Sequence, residues 1–125
     1  MLGGTIRLEY AENPGGFLSL GDHLPPRWRS VAFTGIGIAG TLAVFAYALL
    51  FCSERIQLAA VSLMCAGAAG NLLDRLLWGG YVTDFLNVGV GPVRTGIFNL
   101  ADLSLTAGAL ILAFATLCNT TKKRN

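Results

Sequence analysis

The sequence predicts an all-α membrane protein: a three-transmembrane-helix bundle with a small β-containing head at one membrane surface. Three observations carry this. Of 125 residues, 54% are hydrophobic and only 13% charged, against about 25% charged in soluble domains. The charges cluster, six in the first 30 positions and three in the last four. Between those clusters lie three apolar runs, each long enough at about 1.5 Å per residue to cross a hydrocarbon core of about 30 Å. A soluble globular domain is therefore excluded. A net charge of +2 without a basic stripe excludes nucleic acid as a partner, and the length allows one compact unit.

The head comprises positions 1–29. It lacks a basic start, an apolar core and a small-residue cleavage site, so it is not expected to be a secretory signal peptide. Thr5-Ile6-Arg7-Leu8-Glu9-Tyr10-Ala11 alternates polar and apolar side chains, the pattern of a half-buried strand. Asn13-Pro14-Gly15-Gly16 breaks it, Phe17-Leu18-Ser19-Leu20 is too short to span a membrane, and Pro25-Pro26 with Arg27 and Arg29 forms a stiff boundary. A helix is expected to start near Ser30.

The bundle occupies positions 30–121, with spans at 31–52, 56–78 and 97–118. The first span contains Gly35-Ile36-Gly37-Ile38-Ala39-Gly40, which has dinucleotide-binding spacing but no preceding strand, so the nucleotide reading fails. Gly37 and Thr41 instead form a small-residue pattern expected to let another helix approach closely. The second span ends in Asp74 and Arg75, and Trp78 and Tyr81 suit an interfacial aromatic belt. Positions 79–96 read as a glycine-rich loop. The third span holds one ionisable residue, Asp102, and a basic tail at 122–125 closes the chain. Cys52, Cys65 and Cys118 lack metal-ligand or disulfide spacing and read as small buried apolar side chains. Arginine and lysine are split almost evenly between the two membrane surfaces, and the dense tail leans toward a cytoplasmic C-terminus.

Ionisable groups in membrane spans are costly and face a bundle interior or a wet cavity, which makes each a functional candidate. Asn71, Asp74 and Arg75 share one face of the second span, and Asn99, Asp102 and Thr106 share one of the third. Both faces meet the 79–96 loop, which carries Asp84. Structural readings stand beside functional ones: Asp74 and Arg75 cap a helix end or hold the loop, or Asn71 and Asn99 bond helix to helix. Asp102 has no adjacent cation in sequence and needs a proton or a distant partner. Three aspartates at one surface, with His23 the alternative base, point to paired carboxylates in acid–base work. No metal-ligand set is present.

Gly70-Asn71-Leu72-Leu73-Asp74-Arg75, Gly80-Tyr81-Val82-Thr83-Asp84-Phe85 and Phe98-Asn99-Leu100-Ala101-Asp102 resemble, in order and spacing, the GNxxDR, VxDF and FNxAD motifs of the signal peptidase II family. Glu12-Asn13-Pro14-Gly15-Gly16-Phe17 is similar to that family's asparagine-glycine-phenylalanine segment. The resemblance implies an intramembrane aspartyl endopeptidase of the bacterial cytoplasmic (inner) membrane. Its partners would be membrane lipid and the signal peptide of a diacylglyceryl-modified prolipoprotein, cut immediately before the lipidated cysteine. The family's catalytic pair falls on Asp84 and Asp102. Asn71, Arg75, Asn99 and Asn13 would position substrate and pair, while Asp74 would hold Arg75 and the helix end. The head would be extracytoplasmic, and no metal or organic cofactor is implied. The family's first transmembrane helix has no counterpart in this sequence.

Two other classes remain open on sequence alone. One is a non-catalytic membrane binding or interaction protein derived from the same family, its polar residues serving as helix glue. The other is a small ion-coupled subunit with Asp102 as a relay. A peptidase needs Asp84 and Asp102 at one site, whereas a relay needs Asp102 linked to polar groups across the membrane.

Overall fold

A computed structural model describes residues 2–15 and 23–123. After a short 3-10 turn, strand β1 runs over Ile6–Asn13 and helix α1 over Pro26–Phe51. Helix α2 follows over Arg55–Leu77, strands β2 and β3 over Val82–Val90 and Val93–Arg94, and helix α3 over Leu100–Lys123. The Phe17-Leu18-Ser19-Leu20 step lies outside the described residues.

All three helices are long and apolar enough to cross a membrane. Most of their large apolar side chains are exposed, among them Ile36, Leu42, Leu50, Leu110 and Phe114, as lipid-facing side chains would be. α1 begins at Pro26 rather than near Ser30. Proline is accommodated in a first helical turn, where its missing N–H would be unpaired anyway.

α2 and α3 form the closest pair. A Cβ on Gly67 would lie 2.9 Å from the Leu105 backbone nitrogen, and one on Gly108 would overlap Met64 and the Ala60 carbonyl. Each helix thus offers a glycine to the other, and Ser104 Oγ donates to the Leu63 carbonyl at 2.8 Å across the seam. Without a hydrophobic drive between helices in lipid, such close backbone approach supplies the packing. The expectation for Gly37 and Thr41 is corrected. A Cβ on Gly37 would meet nothing within 4 Å, and Thr41 Oγ1 donates to the Gly37 carbonyl of its own helix. α1 crosses α2 less tightly, leaving space that Gly37 and Thr41 line with Met64 and Cys65. The expectation of buried cysteines is corrected as well: Cys52 and Cys65 are half-buried and Cys118 is exposed, since lipid-facing positions of a small bundle leave apolar side chains uncovered.

Positions 79–96 are not a loop. β2 pairs antiparallel with β1 and with β3 in a sheet ordered β1-β2-β3. The register shifts between Leu8 and Ala11, a bulge in β1 that bends the strand locally. Arg94 fastens the hairpin: its Nε donates to Asn87 Oδ1 and its Nη1 to the Gly4 carbonyl. At the base of the sheet Gly80 adopts φ +100°, where a Cβ would collide with Ser30, whose Oγ donates to the Gly80 carbonyl at 3.0 Å. That bond ties the start of α1 to the turn that launches β2.

Candidate active site

The chain leaves α2 through Trp78-Gly79-Gly80 and enters β2 at Val82. Successive strand side chains alternate faces, so Val82 and Asp84 point the same way, and both are 3% exposed. Asp74, in the last turn of α2, holds this entry: its Oδ2 accepts the Thr83 backbone N–H at 3.1 Å. Farther along, Phe98 clips onto β2, its N–H donating to the Leu86 carbonyl and its carbonyl accepting from Leu86 at 2.7 Å. Asn99 is thereby placed beside Asp84 just as α3 begins.

Asn99 precedes the first residue of α3 and caps it. Its Oδ1 accepts the Asp102 N–H at 2.9 Å, and Asp102 Oδ2 accepts the Asn99 N–H at 3.3 Å. This is a reciprocal capping box with aspartate at its third helical position. The Asn99 amide nitrogen then reaches outward to Asp84 Oδ1 at 2.8 Å and Asn71 Oδ1 at 3.0 Å. Asn71 passes the connection on, donating to Asp102 Oδ1 at 2.8 Å. On the other side of Asp84, Oδ2 accepts from Asn13 Nδ2 at 3.1 Å. Asn13 is itself fixed by the Gly15 N–H on its Oδ1.

One network of amides therefore joins Asp84 to Asp102, drawing on β1, α2, β2 and the start of α3. Burial pushes the Asp84 carboxyl above the ordinary carboxylate range, against hydrogen bonds from Asn13 and Asn99, and the charge of Asp102 acts in the same direction as burial. Arg75 stands near this cluster within reach of the fields of Asp102, Asp84 and Asp74, and its Nη1 donates to the Asn71 carbonyl at 3.4 Å. Its buried Nε has no partner among the described residues.

Asn13, Asn71, Asp84, Asn99 and Asp102 are brought into hydrogen-bond contact. The Asp74 carboxylate accepts the Thr83 N–H and so holds the segment after α2, one of its structural readings. No hydrogen bond joins it to Arg75 among the described residues, where the resemblance implied a hold on Arg75. Thr106 and His23 are exposed and stand outside the network. The side-chain hydrogen bonds of Asp102 among the described residues go to Asn71 on α2 and to the Asn99 N–H at the start of α3, not along the span as a relay would need. Spacing singled out neither Asn87 nor Arg94, because their pairing depends on a hairpin that the glycine-rich composition concealed. No group of three or more metal-ligating side chains is present among the described residues.

Fold and cluster together define a multi-pass membrane protein with paired aspartates held by asparagines at one membrane surface. The family model described as signal peptidase (SPase) II matches residues 1–118. The lipoprotein signal peptidase of Burkholderia ambifaria (strain MC40-6) is 37% identical over 99 residues, 79% of this chain and 57% of the relative. That of Paraburkholderia phymatum is 38% identical over 87 residues, 70% of this chain and 52% of the relative. Two solved structures described as bacterial membrane enzymes superpose with TM-scores of 0.81 and 0.77, each at 29% identity. They cover 95% and 90% of this chain, which spans 70% of each. The chain belongs to the signal peptidase II family, and its three apolar helices and bacterial membrane-enzyme neighbours make it a multi-pass protein of the bacterial inner membrane. It spans little more than half the length of the curated relatives it matches.

Proposed function

We propose that this chain carries the catalytic centre of an intramembrane aspartyl endopeptidase that removes signal peptides from diacylglyceryl-modified prolipoproteins, cutting before the lipidated cysteine. The observation that supports this most is the amide network from Asp84 through Asn99 and Asn71 to Asp102. Peptide hydrolysis by two carboxylates needs one proton shared between them, so that one group acts as base and the other as acid. The raised affinity of Asp84 for a proton makes it the natural acid of the pair. Asp102 takes a proton from water as the water oxygen attacks the scissile carbonyl carbon, and Asp84 donates to the carbonyl oxygen. Collapse of the tetrahedral adduct breaks the C–N bond, the departing amine takes up the proton gained by Asp102, and Asp84 recovers its own from the adduct hydroxyl. Asn99, Asn71 and Asn13 fix the two carboxylates, and Arg75 faces the entering peptide. The sheet surface lies on the extracytoplasmic side, where a translocated signal peptide presents its cleavage site.

The test is cleavage of a diacylglyceryl-modified prolipoprotein by the purified chain and by Asp84→Asn and Asp102→Asn. Each substitution is expected to lower the rate by about a thousandfold or more, since an amide hydrogen-bonds but transfers no such proton. Undiminished cleavage by either variant refutes the reading.

A further inference from the structure

Arg94 takes no part in the cluster around Asp84, yet its guanidinium reaches two other segments of the head. Nε donates to Asn87 Oδ1, Nη2 to the Asn87 and Thr5 carbonyls at 3.3 and 3.4 Å, and Nη1 to the Gly4 carbonyl at 3.0 Å. All four acceptors are neutral, so the group serves as a planar, forked joint rather than as half of an ion pair. Gly89 makes room for it. That residue pairs with Arg94 across the β2–β3 hairpin, and a Cβ on it would lie 2.6 Å from the Arg94 Cα. Asn87, the other half of the joint, is 6% exposed and donates from Nδ2 to the Thr95 carbonyl at 2.8 Å.

The segments joined to β2 in this way are the ones that hold the Asp84 carboxylate. From Gly4 and Thr5 the chain continues as β1, whose far end carries Asn13, the donor to Asp84 Oδ2. From Thr95 it continues along β2, with the Thr95 N–H on the Val88 carbonyl at 2.7 Å and Phe98 on Leu86, and arrives at Asn99, the donor to Asp84 Oδ1. Asp84 is thus held by one amide from each neighbour of β2, and Arg94 fixes the opposite end of both arms. The charges acting on Asp84 are those of Asp102 on α3 and Arg75 on α2, so Arg94 reaches it through the strands.

We propose that Arg94 and Asn87 form a clasp that sets the two amide donors on the Asp84 carboxylate, which makes both of them positioning residues for the cleavage step. The effect on rate rests on the peptidase reading, whereas the geometry that the clasp sets belongs to the fold alone. A misplacement of about 1 Å that originates far from the chemistry can cost about a hundredfold in rate.

Two measurements on the purified full chain test the clasp in the wild type, Arg94→Ala and Arg94→Lys. One is cleavage of a diacylglyceryl-modified prolipoprotein with kcat and KM resolved across pH; the other is infrared titration of the Asp84 carboxyl, assigned by its loss in Asp84→Asn. Arg94→Ala is expected to lower kcat about tenfold or more while KM stays within about twofold. The amides of Asn13 and Asn99 favour the ionised carboxyl, so loosening them moves the Asp84 titration and the alkaline limb of the rate profile to higher pH. A loss of folded protein alone lowers the amplitude and moves neither. Arg94→Lys keeps the charge without the fork and is expected to shift both in the same direction, which carries the test if Arg94→Ala does not fold. Wild-type behaviour of Arg94→Lys in both measurements reduces Arg94 to its charge and overturns the proposal. An unmoved Asp84 titration in the folded variants, or a raised KM with kcat intact, overturns it equally. A wild type that cleaves nothing refutes the peptidase reading, and the infrared titration then decides the clasp by itself.

Discussion

Asn99 carries more of the site than its single side chain implies. It caps α3, orients Asp102, touches Asp84 and joins Asn71, and it is 4% exposed. Asn99→Ala leaves a buried Asp84 oxygen and a helix N–H without partners, a loss of about 2–4 kcal/mol of stability. Cleavage is expected to fall about a hundredfold in whatever fraction stays folded, read by thermal unfolding beside specific activity. Asp74 makes a different prediction. Asp74→Ala strips the Thr83 N–H of its acceptor, whereas Asp74→Asn keeps an acceptor oxygen and is expected to recover most of the activity. A reacting carboxylate would not be rescued that way. Asp84 gives the pH dependence. Its folded-state affinity for a proton is raised by burial, so the folded chain holds that proton more tightly than the unfolded one. Stabilisation from this group is full below the unfolded value of about 3.9 and is lost as pH rises through the higher folded value. Unfolding of the wild type compared with Asp84→Asn across this window is expected to show the wild type losing relative stability as pH increases. Activity follows the same proton, with a rate that falls on the alkaline side as the pair loses it.

At the scale of elements, the α2–α3 seam and the sheet do separate jobs. The seam fixes Asn71 against the start of α3, and its tightness rests on Gly67 and Gly108. Gly67→Ala is expected to destabilise the chain by about 1–3 kcal/mol through overpacking. Gly37→Ala, with open space around it, is expected to be neutral or to stabilise by up to about 1 kcal/mol. Thermal unfolding in detergent of the two single variants decides this. The contrast also shows what was legible beforehand. Length and charge-free composition exposed all three helices, because lipid imposes a coarse and contiguous signal. They did not reveal which glycines meet a partner: Gly35, Gly37 and Gly40 form the more obvious pattern, but helix crossing is set by the whole fold. β1 was readable from alternation over Thr5–Ala11. β2 was not, since Gly79, Gly80, Gly89 and Gly91 around it read as loop chemistry, and its strand character is imposed by pairing with β1 and by Phe98. Asn13, Asn71, Asp84, Asn99 and Asp102, which the structure joins in one network, were legible as candidates through their motifs. Their connection through Asn99 was not, because it needs β2 to lie against the start of α3.

Taken as a whole, the molecule sets apolar helix faces toward lipid and gathers its polar machinery at one end. Asp84 comes from the sheet, Asp102 from α3, and the amides between them from β1, α2 and the cap of α3, so that no single element contains the site. This division explains why a fold this small can hold two carboxylates together in a membrane. Each is surrounded by neutral donors fixed by backbone structure, which offset part of the cost of burial. It also means that the paired chemistry depends on the head and the bundle folding as one. The measurement that tests this account most directly is the mass of the products when the purified chain, in lipid, acts on a diacylglyceryl-modified prolipoprotein, beside the Asp102→Asn variant. The account predicts a free signal peptide and a mature lipoprotein beginning at its modified cysteine, both absent with the variant. Products with a different cut site, or the same products from Asp102→Asn, would contradict it.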